Sequence, residues 1–109
     1  MNTFKTINAK TLKQAYDNDH HLSIIDVREL DEWQSGHIEG AIHLPKDQIV
    51  DHIEQYIKDK QQPIYLHCLK GMRSAYAAQC LVNLGYQQVY SLEGGIAAWA
   101  SLGYPIVKP

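Results

Sequence analysis

The stretch of this chain best equipped for chemistry is His67-Cys68-Leu69-Lys70-Gly71-Met72-Arg73-Ser74, which sets a cysteine ahead of two cations, a glycine and a hydroxyl. The strand-like run Pro63-Ile64-Tyr65-Leu66 leads into it, and an alanine-rich apolar run from Ala75 to Leu84 leads out. A short loop therefore joins a strand to a helix, with Cys68 as its first residue. Backbone N–H groups in the first turn of a helix lack partners, and the aligned peptide dipoles place partial positive charge there. A loop that folds around that end, with the flexible Gly71 inside it, aims several N–H groups at one point. Lys70 and Arg73 add full positive charge. Each of these favours thiolate over thiol, so Cys68 is expected to be a nucleophile of lowered pKa, with an anionic substrate beside it.

The elements that position this loop follow from the apolar pattern. Phe4 to Ile7 reads as a short edge strand. Asn8 is placed to cap a helix with Leu12, Ala15 and Tyr16 on one face. After a polar break, Leu22 to Val27 reads as a buried strand ending in Asp26-Val27-Arg28-Glu29. A helical turn over Asp31 to Gln34 follows, with Leu30 and Trp33 as its apolar side. Ala41 to Leu44 is a second short strand, stopped by Pro45. Asp47 to Lys58 has the pattern of an amphipathic helix, with Ile49, Val50, Ile53 and Ile57 on its apolar face. Beyond the cysteine loop and its helix, Gly85 is the expected residue just past the helix end. Gln88 to Leu92 is another strand, and Glu93-Gly94-Gly95 turns into a last helix closed by Gly103 and Pro105. Strands alternating with helices predict an α/β fold, a mostly parallel sheet with helices on both faces. Ligands of such sheets bind beyond the carboxyl ends of the strands. Cys68, Asp26-Val27-Arg28 and Glu93-Gly94-Gly95 all fall at such ends.

A length of 109 residues suggests one domain over 1–109. With 45% apolar and 20% charged residues and a net charge of −2, the composition is that of an ordinary globular protein, and neither nucleic acid nor a membrane surface is an expected partner. No apolar run approaches the roughly 20 residues of a membrane helix, and Met1 to Lys5 lacks the apolar region of a secretory signal, so a cytoplasmic location is expected. The two cysteines, Cys68 and Cys80, are not spaced for zinc. With the helix starting near Arg73, Cys80 lies about 10 Å along it, too far to bridge to Cys68. It is expected to be a small core residue. Histidines at 20, 21, 37, 43, 52 and 67 lack ligand spacing, so neither metal nor cofactor is expected. Alternation along the strand turns His67 to the face opposite Cys68, which argues against a general base there. Trp33 and Trp99 are expected in the core.

Four blocks carry a family resemblance: Ile25-Asp26-Val27-Arg28-Glu29; Gly36-His37-Ile38-Glu39-Gly40-Ala41-Ile42-His43-Leu44-Pro45; Tyr65 to Ser74; and Leu92-Glu93-Gly94-Gly95-Ile96-Ala97-Ala98-Trp99. In this order, and over nearly the whole length, they resemble a single-domain rhodanese, a sulfurtransferase. The resemblance implies a five-stranded sheet and a Cys68 that carries the transferred sulfur as a persulfide. The donor would be thiosulfate or a similar small anion. The acceptor would be cyanide, a thiol or a protein cysteine. The loop N–H groups from Leu69 to Ser74 would stabilise charge on sulfur and leaving group. Lys70 would attract the donor, Arg73 would hold the loop and add field or simply pair with a carboxylate, and Ser74 would cap the helix. Leu69 and Met72 would form an apolar mouth. Asp26 and Arg28 are expected to support the loops by hydrogen bonds or an ion pair, His37 to cap or hydrogen-bond in its turn, and Gly94 and Gly95 to let backbone approach the site.

Two other readings compete. A cysteine-initiated, arginine-ended anion loop also serves cysteine-dependent phosphatases and arsenate reductases. Here only four residues separate Cys68 from Arg73, where the related phosphatases resemble this pattern with five. The shorter loop should cradle one extra sulfur better than a phosphoryl group. The second reading is a sulfur carrier or interaction module serving a protein partner.

Overall fold

The computed structural model describes residues 3–109. Five strands, β1 (Lys5–Ile7), β2 (Ser23–Asp26), β3 (Ile42–His43), β4 (Ile64–His67) and β5 (Val89–Leu92), form one sheet in the order β1-β5-β4-β2-β3. All four pairings are parallel. The helices are α1 (Ala9–Asn18), α2 (Leu30–Ser35), α3 (Ile49–Tyr56), α4 (Met72–Asn83) and α5 (Gly95–Ser101). No helix among the described residues is long and apolar enough to cross a membrane.

Alternation along the strands sorts their side chains into two cores. Ile25, Val27, Ile64, Leu66, Cys68 and Val89 point to one face, where Ile49 and Ile53 of α3 and Ala77, Ala78 and Leu81 of α4 cover them. Ile24 and Leu92 point to the other, under Leu12 of α1 and Ile96 and Trp99 of α5. The Trp99 indole meets Tyr16 and Tyr104 edge-on, with centroids 5.5 and 5.2 Å away, and donates its N–H to Pro105 O.

Local signals hold at the helix ends. Asn8 Oδ1 accepts from Thr11 N–H at 2.8 Å and starts α1. Gly85, at φ +99°, ends α4; its N–H and that of Tyr86 donate back to Val82 O and Leu81 O. These paired bonds and the left-handed glycine are those of a Schellman motif.

Several expectations change. The helix expected over 47–58 begins as a tighter 3₁₀ turn, Lys46–Gln48, before α3. Val50 is exposed, because it follows Ile49 by about 100° around the helix. The turn α2 starts one residue early and buries none of its side chains, leaving Leu30 57% exposed. Trp33 is half-buried instead of core: its ring stacks on His37, with centroids 3.5 Å apart, and lies near His43. Cys80 is a free, half-buried thiol beside the buried stripe Ser74, Ala77, Ala78 and Leu81 of α4.

Candidate active site

Strand β4 lies at the centre of the sheet, and the chain leaves it through Cys68 into the loop that starts α4. Cys68 is 1% exposed. Gly71, at φ +123°, turns the loop back so that its N–H donates to Cys68 Sγ at 3.0 Å. The backbone N–H groups of Lys70 and Ser74 also favour charge on the sulfur, as does the Ser74 hydroxyl, 3.6 Å from it. Burial by itself pushes the thiol up, but the Ser74 hydroxyl and these three N–H groups outweigh it and hold Cys68 below its ordinary value.

The side chains of the loop divide in two. Leu69, Lys70 and Met72 face solvent, Met72 with 87% of its surface exposed. Lys70 has no carboxylate within ion-pair distance among the described residues. Arg73 and Ser74 are held. Arg73 donates through both Nη atoms to the Glu32 carboxylate at 2.6 and 2.9 Å, which ties the loop to α2. Glu32 also accepts from Glu29 N–H at 3.1 Å. The Arg73 hydrogen bonds hold Glu32 down to about 2, and the same pairing raises Arg73. Of the two readings of Arg73, the pairing with a carboxylate is the one found. Ser74 does not cap α4, as the sequence suggested. The helix begins two residues earlier at Met72 after Gly71, so the Ser74 side chain points back down its axis to Gly71 O, at 3.2 Å, and toward the sulfur. It also meets the buried Ser91 hydroxyl of β5 at 2.8 Å.

The backbone of this loop rests on α5. Ile96 N–H donates to Cys68 O at 2.9 Å and Ala97 N–H to Leu69 O at 3.1 Å. This approach needs a bare Cα at Gly95. A Cβ there would lie 2.6 Å from Cys68 O, nearer still to Leu69 O, and φ is +58°. Gly94, at φ +71°, caps α5.

Asp26, Arg28 and His67 lie on the other face of the sheet. Arg28 donates to the Asp26 carboxylate through Nε and Nη2 at 2.8 to 3.1 Å, and through Nη2 to Gly36 O at 2.7 Å, all buried. Burial works to raise Asp26, but the hydrogen bonds and charge of Arg28 keep it below its ordinary value. In register beside it, His67 has Nε2 3.6 Å from Asp26 Oδ2 and Nδ1 3.3 Å from Cys68 O. Nε2 makes no hydrogen bond among the described residues, and burial pushes His67 down, which favours the neutral ring. His37 Nδ1 lies 3.0 Å from Trp33 O.

Sequence reasoning did not single out Glu32 or Ser91. A signal existed for Ser91, a hydroxyl on the core-facing side of a strand that is otherwise apolar there. None existed for Glu32, whose partner lies 41 residues away.

The arrangement is a buried thiol whose ionised form is favoured by backbone dipoles and a hydroxyl, under a rim of one lysine and two apolar side chains. A family model described as "Rhodanese-like domain" matches residues 8–102. The chain is 39% identical over 83 residues, 76% of each chain, to a protein named thiosulfate sulfurtransferase GlpE from Vibrio cholerae serotype O1. It is 34% identical over 99 residues to one of the same name from Shewanella oneidensis, covering 91% of this chain and 95% of that one. The solution structure of the rhodanese-like domain of the Alr3790 protein from Anabaena superposes with a TM-score of 0.88 at 28% identity, over 95% of this chain and 79% of that one.

Proposed function

This chain belongs to the rhodanese-like domain family and is a sulfurtransferase of that type, and on that premise we propose that it moves the outer sulfur of thiosulfate, or of a similar small anion, through a persulfide on Cys68. The observation that carries this reading is the buried Sγ accepting from Gly71 N–H at 3.0 Å with the Ser74 hydroxyl beside it. Such donors stabilise a thiolate and, by the same geometry, negative charge that returns to it.

The cycle has two displacements. The Cys68 thiolate attacks the sulfane sulfur of thiosulfate; a Cys68 S–S bond forms, the S–S bond of the donor breaks, and sulfite leaves with its electron pair. An acceptor, cyanide in the assay or a thiolate of a small molecule or protein cysteine, then attacks the outer sulfur, and the Cys68 thiolate leaves. Lys70 draws the donor in. Leu69 and Met72 rim the mouth. Arg73 acts through Glu32 to hold the loop. Asp26, Arg28, Gly94 and Gly95 support the surrounding backbone. Residues 1–109 make up one such domain, and its chemistry suits the cytoplasm, where thiols stay reduced.

Thiocyanate formation from thiosulfate and cyanide tests this, with wild type beside Cys68→Ala. Turnover that vanishes in the variant supports the reading. No turnover in folded wild type, together with no added sulfur on Cys68 by mass spectrometry after exposure to several donors, would overturn it. Added sulfur without turnover would mark a carrier.

A further inference from the structure

We propose that Ser91 is a positioning residue for the nucleophile: its hydroxyl donates to Ser74 Oγ and thereby directs the single Ser74 proton to Cys68 Sγ. The inference rests on Cys68 being the nucleophile and adds a residue two elements away.

A serine hydroxyl has one proton and two lone pairs. Around Ser74 Oγ stand three oxygen or sulfur atoms: Ser91 Oγ at 2.8 Å, Gly71 O at 3.2 Å and Cys68 Sγ at 3.6 Å. Ser91 is buried on β5, and its hydroxyl has Ser74 as its side-chain partner. Suppose Ser74 donated to Ser91. The Ser91 proton would then be buried without an acceptor, and such a group costs roughly 1–3 kcal/mol. With the reverse polarity every proton has a place. Ser91 donates to Ser74, and Ser74 donates either to Gly71 O or to the sulfur.

That polarity makes Ser74 a rotor with two settings. Beside a neutral thiol, Ser74 accepts from both Ser91 and the S–H, and gives its own proton to Gly71 O. Beside the thiolate it keeps the Ser91 bond and turns its proton to the sulfur. Gly71 O is not orphaned by the turn, because Ala75 N–H holds it at 3.1 Å. A hydroxyl that is itself accepting a hydrogen bond is a stronger donor, so Ser91 strengthens the bond that stabilises charge on Cys68. The ionic groups near the sulfur are Arg73, already paired with Glu32, and the exposed Lys70. Asp26, Arg28 and His67 lie on the opposite face of the sheet.

The rate of Cys68 alkylation by a haloacetamide, followed against pH and resolved from Cys80 by peptide mass spectrometry, measures this without any sulfur donor. It is therefore independent of which reaction the thiolate performs. In Ser91→Ala the apparent pKa should rise by roughly half a unit to one unit, the equivalent of one net hydrogen bond. Ser74→Ala should raise it at least as far, and the double variant no further. Ser91→Thr against Ser91→Val repeats the comparison at constant shape, with Thr close to wild type and Val shifted. Equal pKa values in folded Ser91→Ala and wild type, or in the Thr and Val variants, would overturn the proposal. Additive shifts in the Ser74/Ser91 double variant would do so as well.

Discussion

Cys68 owes its lowered pKa to neutral dipoles more than to the two cations beside it in sequence. Arg73 is neutralised by Glu32, and Lys70 stands in water, while N–H groups and a hydroxyl converge on the buried sulfur. The two kinds of stabilisation respond differently to salt. Exposed charges are screened over roughly 3 Å at 1 M ionic strength, whereas buried hydrogen bonds are not. The Cys68 pKa should therefore lie below the free value of about 8.5. Raising the salt to 1 M should leave it nearly unmoved in a pH titration of alkylation. Lys70→Ala should raise the KM for thiosulfate several-fold with little change in that pKa. A pKa that climbs with salt would return the credit to the cations. The cysteine, the glycine turn and the lysine were legible in the sequence because each acts from where it stands in the chain. The Glu32–Arg73 pair and the Ser74–Ser91 contact were not, because each joins residues that only the tertiary fold brings together.

Helix α5 acts on the loop as a clamp, and Gly95 is its point of closest approach. In Gly95→Ala the new methyl meets Cys68 O at 2.6 Å, backbone that cannot swing aside. A loss of about 3 kcal/mol or more is expected, by analogy with overpacking and left-handed strain combined, read as a drop in chemical denaturation midpoint together with a higher Cys68 pKa. Gly85→Ala is the matched control: its Cβ meets nothing within 4 Å, so it should cost only the roughly 1–2 kcal/mol of its left-handed φ. The second brace is α2. A double-mutant cycle on Glu32→Gln and Arg73→Gln should give a coupling of about 0.5–3 kcal/mol. At this scale the sequence was most legible where structure is local, as at the Asn8 cap, the Gly85 stop and the strand periodicity. It was least legible at α2, where Leu30 and Trp33 carry apolar character but no second layer of structure covers them.

Across the whole molecule, three buried or paired groups bias stability in one direction. His67 is held neutral by burial, so the unfolded chain binds its proton first as pH falls below 6.5. Asp26 and Glu32 are held charged below their ordinary values of 3.8 and 4.5, Glu32 down to about 2, so their contributions are complete above that range and are lost as pH falls through it. In each case the unfolded state takes up more protons, and stability must decline with acidification. The urea midpoint should fall in two limbs, the first carried by His67 at up to roughly 1.4 kcal/mol per pH unit. His67→Gln should abolish the first limb and leave the second. The strand order has a temporal consequence too. Because β4 has β5 and β2 on its two sides while β1 and β3 are edges, fraying begins far from the strand that delivers Cys68. Amide hydrogens of Ile64 to His67 should be the last to exchange with deuterium, so the nucleophile hangs from the part of the protein that opens most rarely, and its geometry persists through the breathing of everything around it.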